Sequence, residues 1–133
     1  RRQRVERLNI MPLPREEAES LSIRWRDVQA HFVDSPSQAI SEADALVTEA
    51  MRKRGYPMGD FDQRAADISV DHPGVVSDYR SARAIAVRNA TGDASTEELR
   101  QAIVHYRALF ADLLDEQTDA GALRAMQAEG GRR

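Results

Sequence analysis

The chain has 133 residues, 41% hydrophobic, 31% charged and 5% aromatic, which suits one globular domain and excludes wholesale disorder. It contains no cysteine, so disulfides, thiolate metal sites and cysteine nucleophiles are excluded, and no apolar run approaches the ~18 residues that span a bilayer. The net charge is −3, but Arg1, Arg2, Arg4, Arg7 and Arg15 against Glu6 make residues 1–15 locally +4 and leave −7 for the rest, a body that repels phosphate backbones and argues against a nucleic-acid partner.

Residues 1–13 read as a basic leader and flexible linker. Arg1, Arg2, Arg4 and Arg7 have the density of a juxtamembrane cluster, and suit contact with an anionic membrane surface. The chain opens at Arg1 rather than Met, which reads as a fragment or processed product. With a membrane helix upstream, the positive-inside tendency would place the domain on the cytoplasmic side. Met11-Pro12-Leu13-Pro14 is expected to be extended, because a residue before proline avoids the helical region.

A helical domain is expected over residues 14–117. Leu21, Trp25, Val28 and Phe32 recur at helical spacing, behind Pro14 and an acidic first turn. The next helix is expected from about Pro36 to Arg54, with Ser35 and Gln38 as a capping box and Gly55 as its left-handed stop. A shorter third helix should start behind Asp60 as cap, bury Phe61, Ala65 and Ile68, and break over residues 69–73. Pro73 restarts a fourth, with Asp71 or His72 as cap and Val75, Tyr79, Ala82 and Ala86 along one face. The fifth has the clearest start: Ser95-Thr96-Glu97-Glu98 is a capping box ahead of Leu99, Ala102, Ile103, Tyr106, Leu109, Phe110, Leu113 and Leu114. Residues 118–133 read as a frayed C-terminal tail. The expected fold is all-α: a compact single-domain bundle of four long helices and one short one.

Catalytic and metal patterns are missing from the chain. It has no P-loop, no glycine-rich dinucleotide loop, no His-Glu-x-x-His and no Glu-x-x-His of a di-metal bundle, so no catalytic residue, metal or cofactor is expected. The most peculiar stretch is Arg54–Arg80, which sets several polar residues in a region with two helix breaks. Arg64, Asp71, His72, Tyr79 and Arg80 there are candidates for a ligand pocket or partner surface, set against ordinary duty as caps, surface pairs and core. Trp25, the only tryptophan, is a candidate anchor, either of the core or of a partner on an exposed flank of the first helix, where the apolar stripe is wider than a small core needs.

Two patterns occur together: Trp25-Arg-Asp-Val-Gln-Ala-His-Phe-Val-Asp-Ser-Pro-Ser-Gln-Ala with Glu42-Ala-Asp-Ala-Leu-Val, and Ser95-Thr-Glu-Glu-Leu-Arg-Gln-Ala with Tyr106-Arg-Ala-Leu-Phe. In this the chain resembles a group of uncharacterised helical-domain proteins of high-GC bacteria, over roughly residues 20–115. The bias of eighteen arginines against the single Lys53 fits such a coding sequence. The resemblance implies one N-terminal membrane helix ahead of the arginines, and carries no activity with it. The leading expectation is a non-enzymatic, membrane-tethered interaction domain for a protein partner, with homo-oligomers open. A small-ligand sensor built on Arg64, His72 and Arg80 is the first alternative, and an enzyme using Asp71 and His72 the second.

Overall fold

Apolar residues at three- and four-residue spacing, broken by proline and glycine, fold into five helices in a computed structural model: α1 (Arg15–Asp34), α2 (Pro36–Arg54), α3 (Phe61–Asp71), α4 (Pro73–Ala90) and α5 (Thr96–Gly131). The structure describes residues 8–131, and side chains only over 8–114. Among the described residues there is no strand, so the chain is all-helical. The leader arginines Arg1, Arg2, Arg4 and Arg7 lie outside the described residues. Of the expected tail only a helical backbone continuing α5 is described, up to residue 131.

Helix α2 is the central element, touching α1, α4 and α5, while α3 packs on α4. Ion pairs fix the directions. Arg24 to Glu49 and His31 to Glu42 make α1 and α2 antiparallel. Ser37 to Asn89 and Asp44 to Arg83 do the same for α2 and α4. Tyr106 to Asp44 and Arg54 to the Leu113 carbonyl run α5 parallel to α2, and therefore antiparallel to α1. Tyr106, Phe110, Leu109 and Leu113 of α5 meet Ile40, Val47 and Met51 of α2 and Val75 of α4 in one core. Each such side chain contributes roughly 1.5–3 kcal/mol by leaving water.

Several expected caps are not made. Ser35, Asp60 and His72 stand at the N-cap positions of α2, α3 and α4, yet none makes a side-chain cap bond. Their ψ angles of 71°, 39° and 57° fall short of the extended values in which an N-cap side chain folds back on the first turn. Ser35 and His72 are also single-residue links, whose amides close the helix before them on His31 and Ile68. Gln38, expected to complete the Ser35 box, bonds Glu42 instead. The capping box at Ser95 does form: the Glu98 amide donates to Ser95 Oγ at 3.1 Å and the Ser95 amide to Glu98 Oε1 at 2.9 Å. Helix α3 runs to Asp71 rather than breaking over 69–73. Only the residue before Pro73 is barred from helix, so the break shrinks to His72.

Ahead of α1, residues 8–14 carry no helix and are docked on the bundle. Leu13 is buried, and Leu8 and Ile10 pack against the core. The Met11 amide donates to the Arg54 carbonyl at 2.8 Å, and Arg54 Nε donates back to the Met11 carbonyl at 2.9 Å. Gly55 permits this approach twice over. Its φ of +97° ends α2, and a Cβ there would stand 2.3 Å from the Asn9 carbonyl oxygen.

Candidate functional site

The residues singled out over Arg54–Arg80 form the α3–α4 edge of the bundle. Arg64, half-buried, pairs with Asp67 one turn along its own helix at 3.6 Å. Asp71 is exposed at the end of α3. His72 sets the edge of its ring on Tyr56, with centroids 5.6 Å apart. Tyr79 lies on Phe61 at 4.7 Å, and burial pushes its hydroxyl above the ordinary tyrosine value. Arg80 reaches across to Asp62 at 3.6 Å. The Tyr79 and Arg80 contacts are the ones that hold α4 against α3.

Among the described residues two grooves lie elsewhere, both along α1. The first, between α1 and α2, has a volume of about 390 Å³ and is lined by Arg24, Asp27, Val28, His31, Glu42, Ala45 and Leu46. Arg24, His31 and Glu42 on its walls are already paired. Arg24 holds Glu49 through two bonds of 3.0 and 2.8 Å, and this keeps the Glu49 carboxyl below its ordinary value. Lys53 adds a bond to Glu17 at 3.0 Å, which raises its own ammonium above the usual lysine value. His31 Nδ1 meets Glu42 Oε1 at 3.0 Å, and that hydrogen bond lifts the imidazole above 6.5.

The second groove opens between α1 and α5, with a volume of about 250 Å³. Its floor is Trp25 stacked on Phe110, ring centroids 5.2 Å apart and planes 27° from parallel. Ala111, Leu114 and Ser22 complete the lining, and Arg26 and Arg107 stand exposed on the two rims. Neither arginine is ion-paired among the described residues, in contrast to Arg24 and His31 in the first groove. The expectation of an exposed, partner-ready flank on the first helix falls here, with Trp25 as floor. Phe110, Arg26 and Arg107 were not foreseen as neighbours. Each lies on a helical stripe or beside one, and nothing local says that the two stripes meet.

Inside the bundle, Tyr106 Oη donates to Asp44 Oδ1 at 2.7 Å while Arg83 holds the other oxygen at 2.7 Å. Burial, reinforced by Asp44, pushes the Tyr106 hydroxyl far above its ordinary value and makes it a fixed donor at neutral pH. Arg54, only 4% exposed, sends Nη1 to the Leu113 carbonyl at 3.1 Å and lies 5.6 Å from the Tyr56 ring centroid. His105 meets Asp78 at 3.0 Å. The carboxylates of α2 thus diverge, Glu42 and Glu49 toward α1 and Asp44 toward α4 and α5. Among the described residues no three His, Asp or Glu side chains are grouped to hold a metal ion.

No protein-family model, curated protein or solved structure matches the chain. Function is therefore read from the geometry of the two grooves and the chemistry of their rims.

Proposed function

We infer that the chain is a single-domain helical interaction module, four long helices and one short, that binds a protein partner and catalyses no reaction. The observation that carries this reading is the α1–α5 groove, an apolar cleft of about 250 Å³ floored by Trp25 and Phe110 and rimmed by Arg26 and Arg107. Arg24, His31, Ser37, Asp44 and His105 are engaged in helix-to-helix bonds of the kind that position a scaffold. In the full-length protein the module is held at the cytoplasmic side of a bacterial membrane, as in the high-GC group its two motifs resemble. Among the described residues no helix is long and apolar enough to cross a membrane. Attachment in this reading rests on Arg1, Arg2, Arg4 and Arg7 against anionic headgroups, and on the membrane helix that the resemblance implies.

The test is photo-cross-linking in cells from single positions on each face of the full-length protein, at residue 26 on the groove rim and at residue 63 on α3. A discrete adduct from one face supports a partner-binding module. Absence of adducts from every face overturns it. A ligand sensor at the α1–α2 groove, rather than at Arg64, His72 and Arg80, is a second reading: the groove's volume falls in the range of small-molecule sites, but there a ligand must compete with pairs that Arg24 and His31 have already made.

A further inference from the structure

We propose that the α1–α5 groove receives an amphipathic helix of another protein, about three turns long and acidic on both flanks. The proposal rests on the partner-binding reading above and adds the surface and the chemistry of the occupant.

Helical geometry extends the groove beyond its lining residues. On α1, Ser22, Arg26, Gln29 and Val33 share one face; on α5, Val104, Arg107, Ala111 and Leu114 share another. Because the two helices run antiparallel, Val33 and Val104 stand at the same end of the cleft. Both are exposed, at 81% and 48%. From that end to Ser22 and Leu114 the strip is about 15 Å long, which matches three turns of an entering helix. Such a helix would set side chains at i, i+4 and i+7 against Val33 and Val104, then the Trp25–Phe110 floor, then Leu114.

Charge selects among occupants. The rims present Arg26 and Arg107, and among the described residues no carboxylate lines the groove. A second copy of the chain, set groove to groove, would bring these cations against each other. That disfavours an isologous dimer. A flat bilayer reaches a recessed floor poorly, since Phe110 is buried between the two helices. A helix with Glu or Asp along both edges fills the cleft and meets both rims.

Trp25, the only tryptophan, makes the groove its own reporter. The whole chain is titrated with synthetic helices of about sixteen residues that share one leucine stripe and carry either glutamate or lysine on both flanks. The glutamate peptide is expected to change Trp25 emission saturably, and to bind at least about tenfold tighter than the lysine peptide at low salt. In the Arg26→Glu/Arg107→Glu variant the preference inverts, with unchanged far-UV circular dichroism because both positions are exposed. Equal or tighter binding of the lysine peptide to the unaltered chain overturns the proposal. So does self-association in sedimentation that the same variant abolishes, or binding to phosphatidylglycerol vesicles that needs the two arginines. Cross-linking adducts confined to α3 would leave the partner-binding reading standing and overturn this one.

Discussion

Replacing Tyr106 by phenylalanine removes one oxygen and nothing else from the centre of the bundle. The ring is fully buried, and its hydroxyl donates to Asp44 Oδ1 at 2.7 Å. A hydrogen bond to a charged acceptor contributes about 1.5–3 kcal/mol net. The low end applies, because the Asp44 side chain is 19% exposed and keeps Arg83 at 2.7 Å, so water and the guanidinium compensate in part. The expected loss is therefore about 1.5 kcal/mol, or about 5 °C in Tm for a domain of this size. Urea unfolding followed by Trp25 emission and by far-UV circular dichroism measures it, and an unchanged m-value shows that the native state is intact. The Asp44→Asn background supplies the double-mutant cycle, in which Tyr106→Phe should cost less than half as much. A loss below about 0.5 kcal/mol, or full additivity in the cycle, would refute the claim that this hydroxyl locks α5 to α2.

Three further outcomes follow from the geometry. Gly55→Ala should destabilise by at least about 2 kcal/mol, since its φ is positive and the new Cβ meets the Asn9 carbonyl; a neutral result in urea unfolding would contradict the docked position of residues 8–14. Ser95→Ala should cost about 1 kcal/mol through its lost cap, whereas Ser35→Ala should stay within about 0.5 kcal/mol because Ser35 makes no cap bond; equal losses would overturn the distinction. His31 should titrate above 6.5 by NMR and return toward that value in Glu42→Gln. A raised folded-state pKa means that its pairing contributes fully below about pH 6.5 and is lost as pH rises through the folded pKa, so a His31 that titrates at the ordinary value removes the pairing.

How much was legible depends on how local each signal is. The box at Ser95 and Glu98 and the stop at Gly55 span a few residues, and the structure contains both. Ser35 with Gln38 has the same local pattern, but the one-residue link to α1 and the competing Glu42 decide otherwise. Arg54 reads in the sequence as a basic residue placed for the end of a helix dipole. Its burial follows from carbonyls 43 and 59 residues away, which no window on the chain reveals. The α1–α5 groove is a middle case. Trp25 and Phe110 are each visible as stripe residues, and an over-wide stripe on the first helix is visible too. That the two stripes meet, with an arginine left on either rim, is a product of helix directions set by α2.

The docking of residues 8–14 on Arg54 also determines how the bundle opens. One residue bonds the N-terminal segment through both its backbone and its side chain, and grips α5 at Leu113 with a second nitrogen. Peeling the segment away strips two bonds from Arg54, the residue whose Nη1 also holds α5. The segment is then expected to exchange its amides together, in step with the end of α2, rather than by progressive fraying from the chain end. A pull on residue 8 is not absorbed in a slack tether: it is delivered through one guanidinium to the helix that forms the groove's wall.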